Sequence, residues 1–183
     1  MREKITVIVS RHSGAHLIKP TIKHLGFKCY SAKGDRELAL EPIPGRPLLV
    51  WLRNPRNTLI SAFRWKGAKE PDDRALAAFI VAQKNGRTPL SFLQAWAERW
   101  VDYAGSVQVR FEDMILPSGI DLVRGMAKLW NAPNEPDEVF NRHYRNGTFT
   151  GRHSDWRAWF GPRTLDVYAG KGGLRLDKVM GYA

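Results

Sequence analysis

The chain is nearly free of cysteine, because Cys29 is the only one among its 183 residues. A single cysteine excludes a disulfide within the chain. With no CxxC pair and no Cys/His cluster at zinc spacing, we predict no metal site. Long hydrophobic runs are also lacking. The apolar run Ile5 to Val9 is too short for a signal peptide or a membrane span, so we expect a cytoplasmic protein without a transmembrane segment.

Acidic residues are scarce beside basic ones. The chain has 29 Lys and Arg against 18 Asp and Glu, a formal net charge of +11. This excess predicts a surface that receives an anion, whether phosphate, sulfate, nucleic acid or acidic lipid. The GxxxxGK[ST] signature is absent, which disfavours a nucleoside triphosphatase of the usual P-loop kind.

The composition suits one domain over residues 1–183, because 43% of the residues are hydrophobic and can bury a sizeable core. Continuously apolar, β-branched runs are typical of strands buried on both faces of a parallel sheet. We predict strands at 5–9, 27–32, 48–52 and 107–111.

Several segments between and after these strands have apolar residues at helical spacing. We predict helices at 15–25, 58–65, 72–83, 89–103, 120–130 and 165–168. The polar segment 33–47 is predicted to be a long loop, and 171–183 a basic closing segment. Strands that alternate with helices predict a three-layer α/β domain with a central parallel sheet flanked by helices.

Two junctions between a strand and a helix carry residues suited to anions. After the first strand, Ser10-Arg-His-Ser-Gly-Ala-His16 combines a glycine, a hydroxyl and the side chains of Arg11, His12 and His16. Helix N-termini at the carboxyl ends of parallel strands favour phosphate or sulfate through free N–H groups and the helix dipole. An ordinary polar turn is the alternative interpretation.

At the second junction Arg53 follows a buried strand, and Ser61 lies eight residues later on the helix that Pro55 helps to start. A guanidinium binds phosphate through bidentate, charge-assisted hydrogen bonds, and a hydroxyl adds another. The alternative is a surface arginine and a solvated or capping serine.

Taken together and in order, these segments resemble the sulfotransferases that use 3'-phosphoadenosine 5'-phosphosulfate (PAPS). Arg11-His-Ser-Gly-Ala-His-Leu17 is similar to the family's PKSGTTW or PRSGTTL loop. Leu48-Leu-Val-Trp-Leu-Arg-Asn-Pro-Arg-Asn-Thr-Leu-Ile-Ser61 is similar to the strand and RNPxDxxxS motif. Val109-Arg-Phe-Glu112-Asp113 resembles the strand that ends in YED. The segment 145–157 resembles the RKGxxGDW loop, and Met180-Gly-Tyr182 the common ending.

The resemblance implies the P-loop nucleotide-kinase-like sulfotransferase architecture and a reaction. A sulfuryl group would pass from PAPS to a hydroxyl or amine of a small-molecule or carbohydrate acceptor, leaving 3',5'-adenosine diphosphate (PAP). No metal is expected, and neither is a stable nucleic-acid partner. The chain is small for the family, so the alternatives are an acceptor site that is open, one that is reduced, and one completed by a second subunit of a homo-oligomer.

The resemblance also implies the binding residues. The 5'-phosphosulfate would be held by the loop residues Arg11, His12, Ser13, Gly14, Ala15 and His16, largely through their backbone. The 3'-phosphate would be bound by Arg53 and Ser61 and covered by Gly151 and Arg152, with Arg145 as the alternative to Arg152.

Two departures from the family bear on catalysis. His12 stands where the family has Lys or Arg to stabilise the leaving oxygen. Three alternatives follow: a protonated His12 takes that role, Arg11 takes it, or the chain is a weakened catalyst or a non-catalytic relative. No acceptor-activating base aligns with the family's. Glu41 and Glu37 are the catalytic candidates, and His16 and His24 are alternatives.

Two other functions remain in competition. A basic module for single-stranded nucleic acid would use the net charge and the aromatic residues Trp156, Trp159 and Phe160. A phosphotransferase on the same fold would need ATP and magnesium, which the missing lysine of the P-loop argues against. The other tryptophans in apolar stretches are predicted to be core residues: Trp51, Trp96, Trp100 and Trp130.

Overall fold

The centre of the protein is a four-stranded parallel sheet, seen in a computed structural model that describes residues 3–31, 36, 38–138 and 155–182. Its strands are β1 (Lys4–Val9), β2 (Lys28–Tyr30), β3 (Leu48–Leu52) and β4 (Ser106–Arg110), in the order β2-β1-β3-β4. The parallel α/β architecture predicted from the sequence is confirmed.

The carboxyl ends of the three longer strands meet at one edge of the sheet. Val9 of β1 lies opposite Trp51 of β3, and Leu52 of β3 lies opposite Arg110 of β4. From β1 the chain moves outward to β2 and then returns to β3 on the other side of β1. The crevice between β1 and β3 is therefore the point where the strand order reverses, which is where open α/β sheets bind their ligands.

Helices cover both faces of the sheet. One face carries α1 (Ala15–His24), α5 (Phe111–Met114) and α6 (Gly119–Leu129). The other face carries a larger group, which is α2 (Pro55–Trp65), α3 (Asp73–Val81), α4 (Pro89–Trp100), α7 (Pro162–Gly170) and α8 (Gly173–Val179).

Both layers of the core are apolar because the strands alternate their side chains between two buried faces. Val7 and Val9 pack with α1 and α6, whereas Ile8 between them packs with α2 and α4. The prediction of four core tryptophans is confirmed, since each of them is at least nine-tenths buried.

The C-terminal segment differs most from the prediction. A helix of nine residues replaces the predicted short one, and the closing segment contains α8. The reason is a long-range contact that sequence periodicity does not show: the buried Asp177 accepts hydrogen bonds from Tyr168 at 2.8 Å and Arg56 at 2.6 Å. Phe111, predicted to end the last strand, instead begins α5.

Within the part of the chain that the structure describes, no helix is long and apolar enough to cross a bilayer.

Candidate functional site

The loop after β1 delivers the N-terminus of α1 to the carboxyl edge of the sheet. Gly14 is the N-cap of α1 and has a φ of 90°, a conformation that glycine adopts without steric cost. The loop is anchored to β3, because Trp51 Nε1 donates a 2.8 Å hydrogen bond to the Ser13 carbonyl. A Cβ on Gly14 would lie 2.7 Å from ring atoms of Phe111, so only glycine fits this position.

Some polar groups of this loop form hydrogen bonds within the loop, and others are donors without a partner among the described residues. The Ser13 hydroxyl is buried and donates to the Ser10 carbonyl at 2.6 Å, so it serves the loop itself. The backbone N–H groups of Ala15 and His16, at the start of α1, have no partner among the described residues. They are the donors that the positive end of the helix dipole offers to an anion.

Arg53 is buried beside this loop, with 8% of its surface exposed. Its Nη1 donates a 2.9 Å hydrogen bond to the His12 carbonyl, and its guanidinium carbon lies 4.5 Å from the centre of the Phe111 ring. Its Nε is buried without a hydrogen-bond partner, and its Nη2 donates to no group of the described residues. Burial lowers the pKa of Arg53, while Glu112 and Tyr182 raise it.

Arg53 remains charged, because the pKa of a guanidinium starts far above neutrality. The two junctions that the sequence singled out are thus in direct contact. Glu112 offsets part of the desolvation of Arg53, and the unused donors of Arg53 suit a further anionic partner.

Glu112 fixes the turn that follows Arg53. Its Oε1 accepts a 3.0 Å hydrogen bond from the backbone N–H of Asn54, and its Oε2 accepts a 2.6 Å bond from the hydroxyl of Tyr182. Asn54 in turn caps α2, because its side chain accepts from the N–H of Arg56. The sequence motifs pointed to Glu112 and Tyr182, but they did not show that these residues position Arg53.

Ser61 lies on α2 and is half-buried. Trp65 follows it by one helical turn, and the Trp65 ring centre is 6.0 Å from that of His12. This side of α2 therefore faces the loop after β1. No hydrogen bond joins Ser61 to Arg53, and their joint role in holding one ligand stays a prediction.

His12 lies in a positive environment. Burial is the largest cause that lowers the pKa of His12, and the positive charges of Arg11, Lys66 and Arg53 lower this pKa further. In the absence of a ligand these effects favour the neutral imidazole at neutral pH. His12 becomes protonated, and so carries a positive charge, when a bound anion offsets the positive charges of its neighbours.

Glu41 does not lie beside the loop after β1. Its carboxylate is 82% exposed and pairs with Arg99 at 2.7 Å, near the end of α4. The C-terminal end of α4 is followed by β4. The first residue of α4, Pro89, lines the same cleft as His12. His24, at the far end of α1, is also remote from the loop.

Several other predicted residues lie outside the described residues: Glu37, Arg145, Gly151 and Arg152.

A cleft of about 550 Å³ opens from Arg11 and His12. It runs between α2, the end of α3 and the start of α4, and we refer to it as the α2–α4 cleft. No carboxylate lines it among the described residues. Over the same described ranges, no group of three or more His, Cys, Asp and Glu side chains is arranged to hold a metal ion.

Comparison with known proteins identifies a structural relative and no sequence relative. No protein-family model matches the chain, and no curated protein matches it. The solved structure of mouse sulfotransferase SULT7A1 complexed with PAP is similar, with a TM-score of 0.65 over 99% of this chain and 89% of that chain. The two sequences are 12% identical. At this level the likeness concerns the fold alone, and the chain has a sulfotransferase-like α/β fold.

Proposed function

We propose that the protein is a PAPS-dependent sulfotransferase whose donor binds at the crevice between β1 and β3. Three features support this: the order of the sequence motifs, the sulfotransferase-like fold and the PAP bound to the similar mouse enzyme. The observation that carries the proposal is Arg53. Its buried guanidinium keeps two unused donor nitrogens beside the N-terminus of α1, as a phosphate site requires.

PAPS would supply an activated sulfuryl group on a phosphate leaving group. The N–H groups of Ala15 and His16 and the dipole of α1 bind its 5' end, and Arg53 with Ser61 binds its 3'-phosphate. Arg145 or Arg152 would cover that phosphate. The chain's own residues act by positioning and by electrostatic stabilisation, which carry most of the catalysis in transfers of this kind.

The reaction forms a bond between the acceptor oxygen and sulfur and breaks the bond between sulfur and the bridging oxygen. The bridging oxygen keeps the electron pair, and Arg11 stabilises its charge. The acceptor hydroxyl loses its proton. Among the described residues that line the α2–α4 cleft, His12 is the side chain able to accept that proton, which it does in the fraction of the complex whose His12 imidazole is neutral.

The first test is thermal unfolding with PAP, compared with ATP plus magnesium and with a short single-stranded RNA. A ligand at 100 times its Kd stabilises the native state by about 2.7 kcal/mol. For a chain of this size that corresponds to a rise in Tm of roughly 5–10 °C. We expect this shift with PAP and a much smaller one with the other ligands.

The other results would decide against the proposal. A shift with ATP plus magnesium alone would identify a phosphotransferase. A shift with RNA alone, steeply dependent on salt and not competed by PAP, would identify a nucleic-acid-binding module.

A second prediction concerns pH. Because the pKa of His12 lies below its usual 6.5 in the free protein, a bound polyanion raises it and the complex takes up protons. PAP affinity is therefore expected to fall as pH rises through the pKa of His12 in the complex. Proton uptake is measured by calorimetry in two buffers of different ionisation enthalpy, at about pH 6.

The matched control is His12→Asn, because Asn tolerates the positive φ of 62° found at this position. The variant should bind PAP with less proton uptake, and PAP's own titration cancels in the comparison. Equal uptake by both proteins would place His12 away from the donor.

A further inference from the structure

The α2–α4 cleft has an apolar floor. Leu59 and Ala62 contribute from α2, Phe79 from α3, and Phe92 and Leu93 from α4. The ring of Phe79 also packs against that of Phe63 at a tilt of 43°, with ring centres 5.3 Å apart. Such a surface accepts an aromatic or aliphatic body, as is typical of sites that take small organic molecules.

The rim of the cleft is cationic. The charges of Arg11 and Lys66 act on His12, and Lys84 and Arg87 belong to the turn that precedes α4. None of these four cations forms an ion pair within the described part of the chain. Four other arginines of the described residues do form ion pairs, among them Arg124 with Asp137 at 2.7 Å.

Lys84 and Arg87 are held together by a tight turn. The N–H of Lys84 donates to the Arg87 carbonyl at 2.8 Å, and the N–H of Arg87 donates back at 3.2 Å. Between them Asn85 and Gly86 have φ values of 52° and 76°, as in the Asn-Gly turns of two-residue hairpins. Thr88 follows at once as the N-cap of α4, within a capping box.

This geometry brings two like charges close together. Residues paired directly across a hairpin have Cβ atoms about 5 Å apart, and like charges in such a pair repel each other. The turn therefore fixes two cations side by side at the mouth of an apolar cleft without a counter-ion among the described residues. An anion bound between them would remove the repulsion and gain charge-assisted hydrogen bonds.

We propose that the acceptor is an amphipathic anion, with an apolar body on the floor of the cleft and a carboxylate, sulfate or phosphate held by Lys84 and Arg87. Its reacting hydroxyl then points towards His12, which lines the same cleft. The assignment of this molecule as the acceptor rests on the proposed function, whereas the preference for an anion in the cleft rests on the cleft alone.

The test uses two probes of equal shape, 6-hydroxy-2-naphthoate and its neutral amide, with binding followed by their fluorescence. We expect the carboxylate to bind at least about tenfold more tightly than the amide, the effect of roughly one charge-assisted hydrogen bond. Transfer of radioactive sulfate from labelled PAPS to each probe should follow the same order.

The variant pair Lys84→Glu with Arg87→Glu reverses the charge of the turn, and both side chains are exposed. It should remove the preference for the carboxylate and leave PAP affinity within about twofold. The matched control is Arg74→Glu with Lys128→Glu, exposed cations outside the cleft that carry the same change of charge. This control should retain the preference.

Each outcome separates the two proposals. Equal binding of the two probes by the unchanged protein, or a preference that survives the reversal at the turn, overturns the anionic cleft even if PAP binds. An intact preference without PAP binding overturns the proposed donor site and leaves an anion-binding cleft.

Discussion

Replacing Arg53 by Ala is expected to weaken PAP binding by at least about 100-fold. The unused Nη2 and Nε groups offer charge-assisted hydrogen bonds to the 3'-phosphate. Each such bond is worth about 1.5 kcal/mol or more, and two of them give about two powers of ten in affinity. The affinity is measured by calorimetry well below the Tm of each variant, so that unfolding does not enter.

Two further variants control this prediction. Arg53→Met keeps an apolar stem over Phe111 and loses the charge, and it should bind PAP as weakly as the alanine variant. Arg74→Ala removes an exposed arginine of α3 and should leave the affinity nearly unchanged. An unchanged PAP affinity in Arg53→Met would show that the 3'-phosphate lies elsewhere.

Replacing Gly14 by Ala is expected to lower the free energy of unfolding by about 2–4 kcal/mol. Part of this, about 1–2 kcal/mol, is the cost of a left-handed backbone at a residue with a side chain. The rest comes from overpacking, because the new Cβ would lie 2.7 Å from the Phe111 ring. That ring is buried and wedged between Trp51 and Arg53, so it has little room to move.

The matched control is Gly105→Ala. Gly105 also has a positive φ, 76°, but a Cβ there would meet nothing within 4 Å. It should show only the conformational cost, about 1–2 kcal/mol by chemical denaturation. Because the collision at Gly14 pushes on Phe111 and Arg53, Gly14→Ala should also weaken PAP binding, and Gly105→Ala should not. Equal losses of stability in the two variants would argue against the close contact with Phe111.

The local elements of the site were predictable because each depends on a run of consecutive residues. A β-branched run followed by a glycine-containing turn predicts a strand that enters a helix, and it did so for β1 and α1. The same holds for β3 and α2, where Pro55 and the cap at Asn54 start the helix. The placement of Arg53 just past a buried strand followed from this pattern.

Contacts between distant residues were not predictable in the same way. Glu112 meets Tyr182 and the backbone of Asn54, which are separated from it by 70 and 58 residues. The α8 helix depends on Asp177 meeting Arg56, 121 residues away. Glu41, which the sequence placed before a strand as a candidate base, pairs instead with Arg99. Patterns of neighbouring residues do not predict contacts between residues so far apart in the sequence.

The sequence by itself determined the alternation of strands and helices, the buried tryptophans and the two junctions where a strand enters a helix, because these depend on periodicity and turn chemistry between residues close in the chain. Only the tertiary structure decided that the strand order reverses between β1 and β3, that Arg53 touches the His12 loop, and that a cationic turn lines the same apolar cleft as His12. These features arise from the packing of helices that lie far apart in the chain, and packing selects one arrangement among many that share the same local pattern.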